Sequence, residues 1–296
     1  MHRRAGARLS LAGWSGAGAI LLWPLAAAGH EAGISPAGSG WSVEPLALAL
    51  LAGSAALYAA GLRGMAAARR RAISPPPRIA AWLAGVVLAV IALFSPLDAL
   101  ADKSFAWHMA QHLLLMLGVA PLLASANTHL VTLMAFPLPL RRLVGRRVNR
   151  APGVRGGASS RLAPLVAALC FVTGLWLWHA ARLYDLALAN PVVHTLEHLT
   201  FVVTSAVFWR MVVTAGNRRL DRLSGVLLVT VVGLQGNLLA ALITLAPDPL
   251  YQPYAHNALG DQQLAGLLMW VPAGLVYLVA TIHALWRIQS LGASSD

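Results

Sequence analysis

From residue 44 onward the chain alternates apolar runs of about membrane length with shorter polar or basic connections. A helix needs roughly 20 apolar residues to cross about 30 Å of hydrocarbon. The pattern therefore predicts seven spans, at 44–62, 79–97, 107–125, 162–182, 191–211, 223–246 and 264–286. One more apolar run precedes them. Residues 1–29 begin with Arg3, Arg4 and Arg8, run apolar to Leu25 and finish Ala26-Ala27-Ala28-Gly29, the layout of a signal peptide with a small-residue cleavage site. The expected fold is all-α: a polytopic transmembrane helix bundle, with seven helices after a cleaved signal peptide or eight if it is kept. Residues 30–296 are expected to form a single transmembrane helical domain, without internal repeats.

Composition agrees with this reading, and charge adds direction to it. A chain that is 58% hydrophobic and 11% charged, with mean hydropathy +0.68, is too apolar for a soluble domain. The net charge of +12 would suit nucleic acid if the basic residues formed a patch, but they fall in short runs between the apolar segments. That is the signature of cytoplasmic membrane loops. Arg63, Arg69, Arg70, Arg71 and Arg78 share one connection; Arg141, Arg142, Arg146, Arg147, Arg150, Arg155 and Arg161 share the next inner one; Arg210, Arg218, Arg219 and Arg222 fill the third. Only Lys103 and Arg182 fall on the other side, so the mature amino terminus is expected outside and the carboxyl terminus inside. Within the long inner connection 126–161, the apolar stretch Leu130–Leu143 with its arginine end predicts a short interfacial helix.

This topology sorts the histidines. Of the nine histidines other than His2, His30, His108, His112, His179, His194, His198 and His256 fall on the outer side, and only His129 and His283 near the inner face. His108 and His112, and again His194 and His198, are spaced i and i+4, which puts each pair on one face of its helix. Ionisable side chains within a membrane segment are costly and point to function. If the third, fourth and fifth helices pack together, these two pairs and His179 converge. The competing reading is interhelical hydrogen-bond glue, which suits a lone histidine better than two i,i+4 pairs.

Imidazole suits zinc, copper, iron and nickel, and thioether favours Cu(I). Met109, Met116 and Met269 lie near the same outer level and tilt the choice towards copper. Asp98, Gln111, Glu197 and Asp261 are candidate supporting groups for the ligating imidazoles. A single cysteine, Cys170, excludes a Cys-x-x-Cys metal or redox site and a disulfide framework. Phosphate-binding glycine loops and Ser/His/Asp hydrolase signatures are absent, and no enzymatic role is expected.

Ser95-Pro-Leu-Asp98, His108-Met-x-Gln-His112, Trp178-His179 with Tyr184 downstream, His194-x-x-Glu-His198, and Asp261-Gln with Met269-Trp270 occur in this order. Together they resemble the CtaG family of the caa3 type, associated with cytochrome c oxidase assembly, over about Trp41 to Trp286. Ala181 departs from the pattern, which has a proline two residues after the Trp-His pair. The resemblance implies a multipass protein of the bacterial plasma membrane that helps make an active haem-copper oxidase by handling or delivering copper at the outer face. Its implied partners are oxidase subunits or other assembly factors, with the lipid membrane as surroundings and no nucleic acid. A haem-binding membrane oxidoreductase is the alternative, since transmembrane histidines also serve as axial haem ligands. A transporter is a third, suggested by the polar interruption Gln235-Gly236-Asn237.

Overall fold

A computed structural model describes residues 44–150, 162–211, 222–251, 254 and 258–292; the proposed signal peptide, His30 and His256 lie outside the described residues. The described part is helical throughout, with no strand among the described residues. In chain order the helices are α1 (Pro45–Arg63), α2 (Ala67–Ile73), α3 (Pro76–Phe94), α4 (Pro96–Ala101), α5 (Phe105–Ser125), α6 (Thr128–Leu133), α7 (Leu138–Arg150), α8 (Ala163–Trp178), α9 (Ala181–Ala189), α10 (Pro191–Trp209), α11 (Arg222–Leu245) and α12 (Ala258–Gly292). Six of these are long and apolar enough to cross a membrane, and α8 with α9 makes a seventh if the bent pair is one span. The protein is a multipass transmembrane bundle.

Local chemistry sets the helix starts. Proline occupies the first turn of α1, α3, α4, α8 and α10, where its missing N–H costs nothing. At α10 the Asn190 side chain also accepts from the N–H of Val192 at 3.0 Å and of Val193 at 3.3 Å. At α5 the Ser104 hydroxyl accepts from the Trp107 N–H at 3.4 Å, and Asp261 reaches over from α12 to accept from Ser104 Oγ at 2.7 Å and the Phe105 N–H at 2.6 Å. Three of the four orphan donors of this buried helix end are thereby engaged by carboxylate or hydroxyl, counting a longer bond from the Ala106 N–H.

Helix α5 is the central element. Half of its most apolar window is buried, against 17% for α1. It packs against α3, α4, α10 and α12; α8 packs on α10, and α11 pairs along α12. The outward leucines and valines of the long helices, such as Val87, Leu227 and Val279, stay exposed, as lipid-facing side chains of a bundle must. Within α5 the turn Leu114–Val119 is π-helical. The Met116 carbonyl accepts instead from Ser205 Oγ at 2.7 Å and Trp209 Nε1 at 3.2 Å, both on α10. This fixes the register of α10 against α5.

Two expectations need correction. The fourth span does not run straight to residue 182. Helix α8 stops at Trp178, and the chain turns by 76° into α9. His179 ends the helix because its Nδ1–H donates to the Leu175 carbonyl at 2.7 Å, and Ala180 is extended. The interfacial helix expected over Leu130–Leu143 is divided between α6 and α7, with a turn through Met134–Pro137. There the Arg141 guanidinium folds back onto the Phe136 carbonyl at 2.7 Å. In α11, Asn237 lies against Gly274 of α12, 3.4 Å from where a β-carbon would stand.

Candidate metal centre

The register set by Ser205 and Trp209 brings the two histidine pairs face to face. His108 and His112 on α5 have ring centroids 4.4 Å apart, and His194 and His198 on α10 are 4.2 Å apart. Across the interface His108 is 5.2 Å from His194, and His112 is 5.1 Å from His198. One nitrogen from each of the four falls within 4.8 Å of the others. Tetrahedral coordination with metal–nitrogen distances of about 2.0 Å separates ligand nitrogens by about 3.3 Å, so closure needs only modest side-chain rotation. His108 Nε2 and His112 Nε2 are already 3.0 Å apart.

Burial makes this arrangement hard to explain as packing. His108, His112 and His198 are buried and His194 partly so. His112 Nδ1 and His198 Nε2 have no hydrogen-bond partner, and neither has either oxygen of Glu197, which is 0% exposed. Glu197 Oε1 is 3.9 Å from His112 Nε2. A buried carboxyl group left without a hydrogen bond is costly, and beside it the four imidazoles make a donor set that could hold a cation. A lipid-facing groove of about 150 Å³ between α1, α3, α5 and α10, lined by Leu50, Leu93, Leu115 and Val202, reaches His198 from the side. Beside it Thr195 donates to Glu44, and burial raises the Glu44 carboxyl above its ordinary range while this hydrogen bond opposes the shift.

The other residues singled out from the sequence take varied places. His179 stands beside the cage, its ring 6.4 Å from that of His112, with Nε2 3.4 Å from Met109 Sδ. Met116 and Met269 line a separate cavity of about 30 Å³ with Phe171 and Tyr277. Gln111 donates to Asp98 Oδ1 at 2.6 Å and to the Ala92 carbonyl at 2.8 Å, tying α5 to α3 and α4. Asp261 caps α5 and thus positions the helix that carries His108, where a direct bond to an imidazole was expected.

The connection between α11 and α12 supplies groups that the sequence did not single out. Tyr254 donates its only hydroxyl proton to the Ala101 carbonyl at 2.9 Å, so towards His108 Nδ1, 3.2 Å away, it must accept. His108 is therefore held with its proton on Nδ1 and its Nε2 lone pair facing His112. Tyr251 donates to the His179 carbonyl at 3.0 Å. Burial raises both phenols above their ordinary range, which keeps them neutral donors. With Phe105 and Tyr184 they form an aromatic roof over the cage. Gln262 secures the connection by accepting from the Leu250 N–H at 2.7 Å and donating to the Ile243 and Asp248 carbonyls, each at 3.3 Å. The signal available in the sequence was the pair of tyrosines three apart in the connection between two spans.

A prediction follows from the Tyr254 hydroxyl. Tyr254→Phe keeps the ring packing and frees the imidazole tautomer, and should weaken metal binding at the cage by roughly 10- to 100-fold. Competition titration with a chromophoric chelator measures it; unchanged affinity would mean that the phenol does not orient His108.

Among known proteins, the chain is similar to two curated mycobacterial proteins, "Uncharacterized protein Mb0105" of Mycobacterium bovis and "Uncharacterized protein MT0111" of Mycobacterium tuberculosis. Each is 27% identical over 260 residues, a stretch that is 80% of this chain and 38% of the relative. The chain thus spans well under half the length of these relatives. No solved structure matches. The model of one family, described as the cytochrome c oxidase caa3 assembly factor, matches residues 56–290, a region that takes in both helices of the histidine cage, the aromatic roof and the Asp261 cap. With that match covering most of its length, the chain belongs to the caa3-type CtaG family of cytochrome c oxidase assembly factors.

Proposed function

We propose that this protein handles copper at the outer face of the plasma membrane during assembly of a haem-copper oxidase, with His108, His112, His194 and His198 as the ligands. The observation that carries the reading is Glu197: a fully buried carboxyl group without a hydrogen-bond partner beside four converging imidazoles. A bound cation would compensate it. Family membership supplies the demand, since oxidase assembly requires copper to reach its subunits. The role is that of a carrier, not a catalyst, and the partners are oxidase subunits or other assembly factors.

The residues act by holding and releasing the ion. Tyr254 presents the lone pair of His108, the Asp261 cap and the Gln111–Asp98 bond hold α5 in place, and the aromatic roof excludes water. The haem alternative fits less well. Axial imidazoles must lie on opposite faces of a broad macrocycle, and Nε2 atoms 3.0 Å apart on one helix leave no room for it between them.

The arginine-rich connections favour a cage opening to the outside. With Cys170 replaced, a cysteine introduced at Gly156 should resist membrane-impermeant labelling in intact cells, and labelling there would reverse the topology. For the chemistry, His112→Ala or His198→Ala should insert normally and lower oxidase activity, with the loss eased by added copper. His283→Ala, exposed at the opposite end of the bundle, should leave activity unchanged. Equal activity in all three variants at limiting copper would contradict the proposal.

A further inference from the structure

His179 falls outside the group of four histidines whose nitrogens converge. Its Nδ1 is 2.7 Å from the Leu175 carbonyl, which can only accept, so the ring proton is on Nδ1. In neutral imidazole this leaves a bare lone pair on Nε2. That lone pair points at Met109 Sδ, 3.4 Å away, and a thioether carries no proton. Two electron-pair donors therefore face each other with no hydrogen between them. Both residues are buried, at 6% and 1% exposure, so water does not separate them. The contact is also firmly built. His179 caps α8, its carbonyl accepts from Tyr251, and Met109 follows His108 directly on α5.

We propose that His179 Nε2 and Met109 Sδ form a second metal site, for a soft monovalent ion of the Cu(I) class, separate from the four-imidazole cage and beside it. Metal–nitrogen and metal–sulfur distances of about 2.0 and 2.3 Å let one ion bridge atoms 3.4 Å apart without moving either helix. A neutral nitrogen–sulfur pair selects such an ion, because thioether binds Cu(I) and binds hard or divalent ions poorly. The His112 ring is 6.4 Å from the His179 ring, so an ion held here passes to the cage by exchange of ligands, with no change of oxidation state. The second site stands on the geometry of His179 and Met109; the transfer step rests on the proposed reading of the cage as a copper site.

X-ray absorption of the purified full-length chain, loaded anaerobically with Cu(I), tests this. Two ions per chain are expected, one of them with a sulfur neighbour at about 2.3 Å. Met109→Leu, which conserves volume, should remove the sulfur signal and one ion, and His179→Phe should do the same. His194→Ala with His198→Ala should retain the sulfur-ligated ion and lose the nitrogen-only one. A wild-type spectrum without sulfur overturns the second site even if the variants do not fold, and so does a sulfur signal unchanged in folded Met109→Leu. A sulfur-ligated ion in a wild type with no nitrogen-only ion supports the second site and overturns the copper reading of the cage.

Discussion

Cells carrying His108→Ala with His112→Ala, or His194→Ala with His198→Ala, should contain normal amounts of the inserted protein and little active oxidase. Each double change removes both ligands from one helix, so the remaining pair cannot complete the cage. A single change leaves three imidazoles and a weaker site, which is why the double variants give the larger effect. Insertion should survive because the bundle is held by packing elsewhere, along α11 with α12, α8 with α10, and α5 with α3 and α12. Replacing His112 or His198 also removes a buried ring nitrogen that has no hydrogen-bond partner. Oxidase activity in membranes, normalised to immunodetected protein, is the measurement. Normal activity in both double variants would leave these histidines as interhelical glue.

The second large effect is architectural. Gly266 of α12 faces α11 so closely that an added β-carbon would lie 2.8 Å from the Thr244 nitrogen and 2.9 Å from the Ala240 carbonyl oxygen, besides meeting Thr244 Oγ1. Those backbone atoms cannot rotate away, so Gly266→Leu must push the helices apart. Overpacking typically costs about 1–3 kcal/mol and occasionally more. Here it would also displace the connection that carries Tyr251 and Tyr254, which Gln262 ties to α11. The expected result is sharply reduced accumulation in the membrane, or a thermal midpoint lower by several degrees. Gly260→Leu on the same helix, where a β-carbon meets nothing within 4 Å, should be tolerated. Equal accumulation of the two variants would show that the close approach of α11 and α12 is not needed.

The sequence already carried the spans and the two histidine pairs, because hydrophobic runs and i,i+4 spacing are local properties. The observed Pro45–Arg63, Phe105–Ser125 and Leu223–Leu245 lie within a few residues of the expected 44–62, 107–125 and 223–246. The break after Trp178 was not legible: Ala180-Ala181-Arg182 favours helix, and only the three-dimensional position of the His179 ring, bonded back to the Leu175 carbonyl, ends it at Trp178. Nor was the π-helical turn in α5, since every residue from Leu113 to Val119 is apolar or glycine and gives no periodic signal. That turn matters because the freed Met116 carbonyl sets α10 in register, and register decides whether His194 and His198 meet His108 and His112. Tyr254 belongs to the same class. Its role depends on Ala101 and His108, residues about 150 positions earlier in the chain.

Metal analysis of the detergent-purified protein, with an optical spectrum of the same sample, tests the central claim most directly. The account predicts bound copper that falls by at least one ion per chain in each histidine double variant, and no haem absorption. Copper content equal in the wild type and both double variants, or stoichiometric haem, would contradict it.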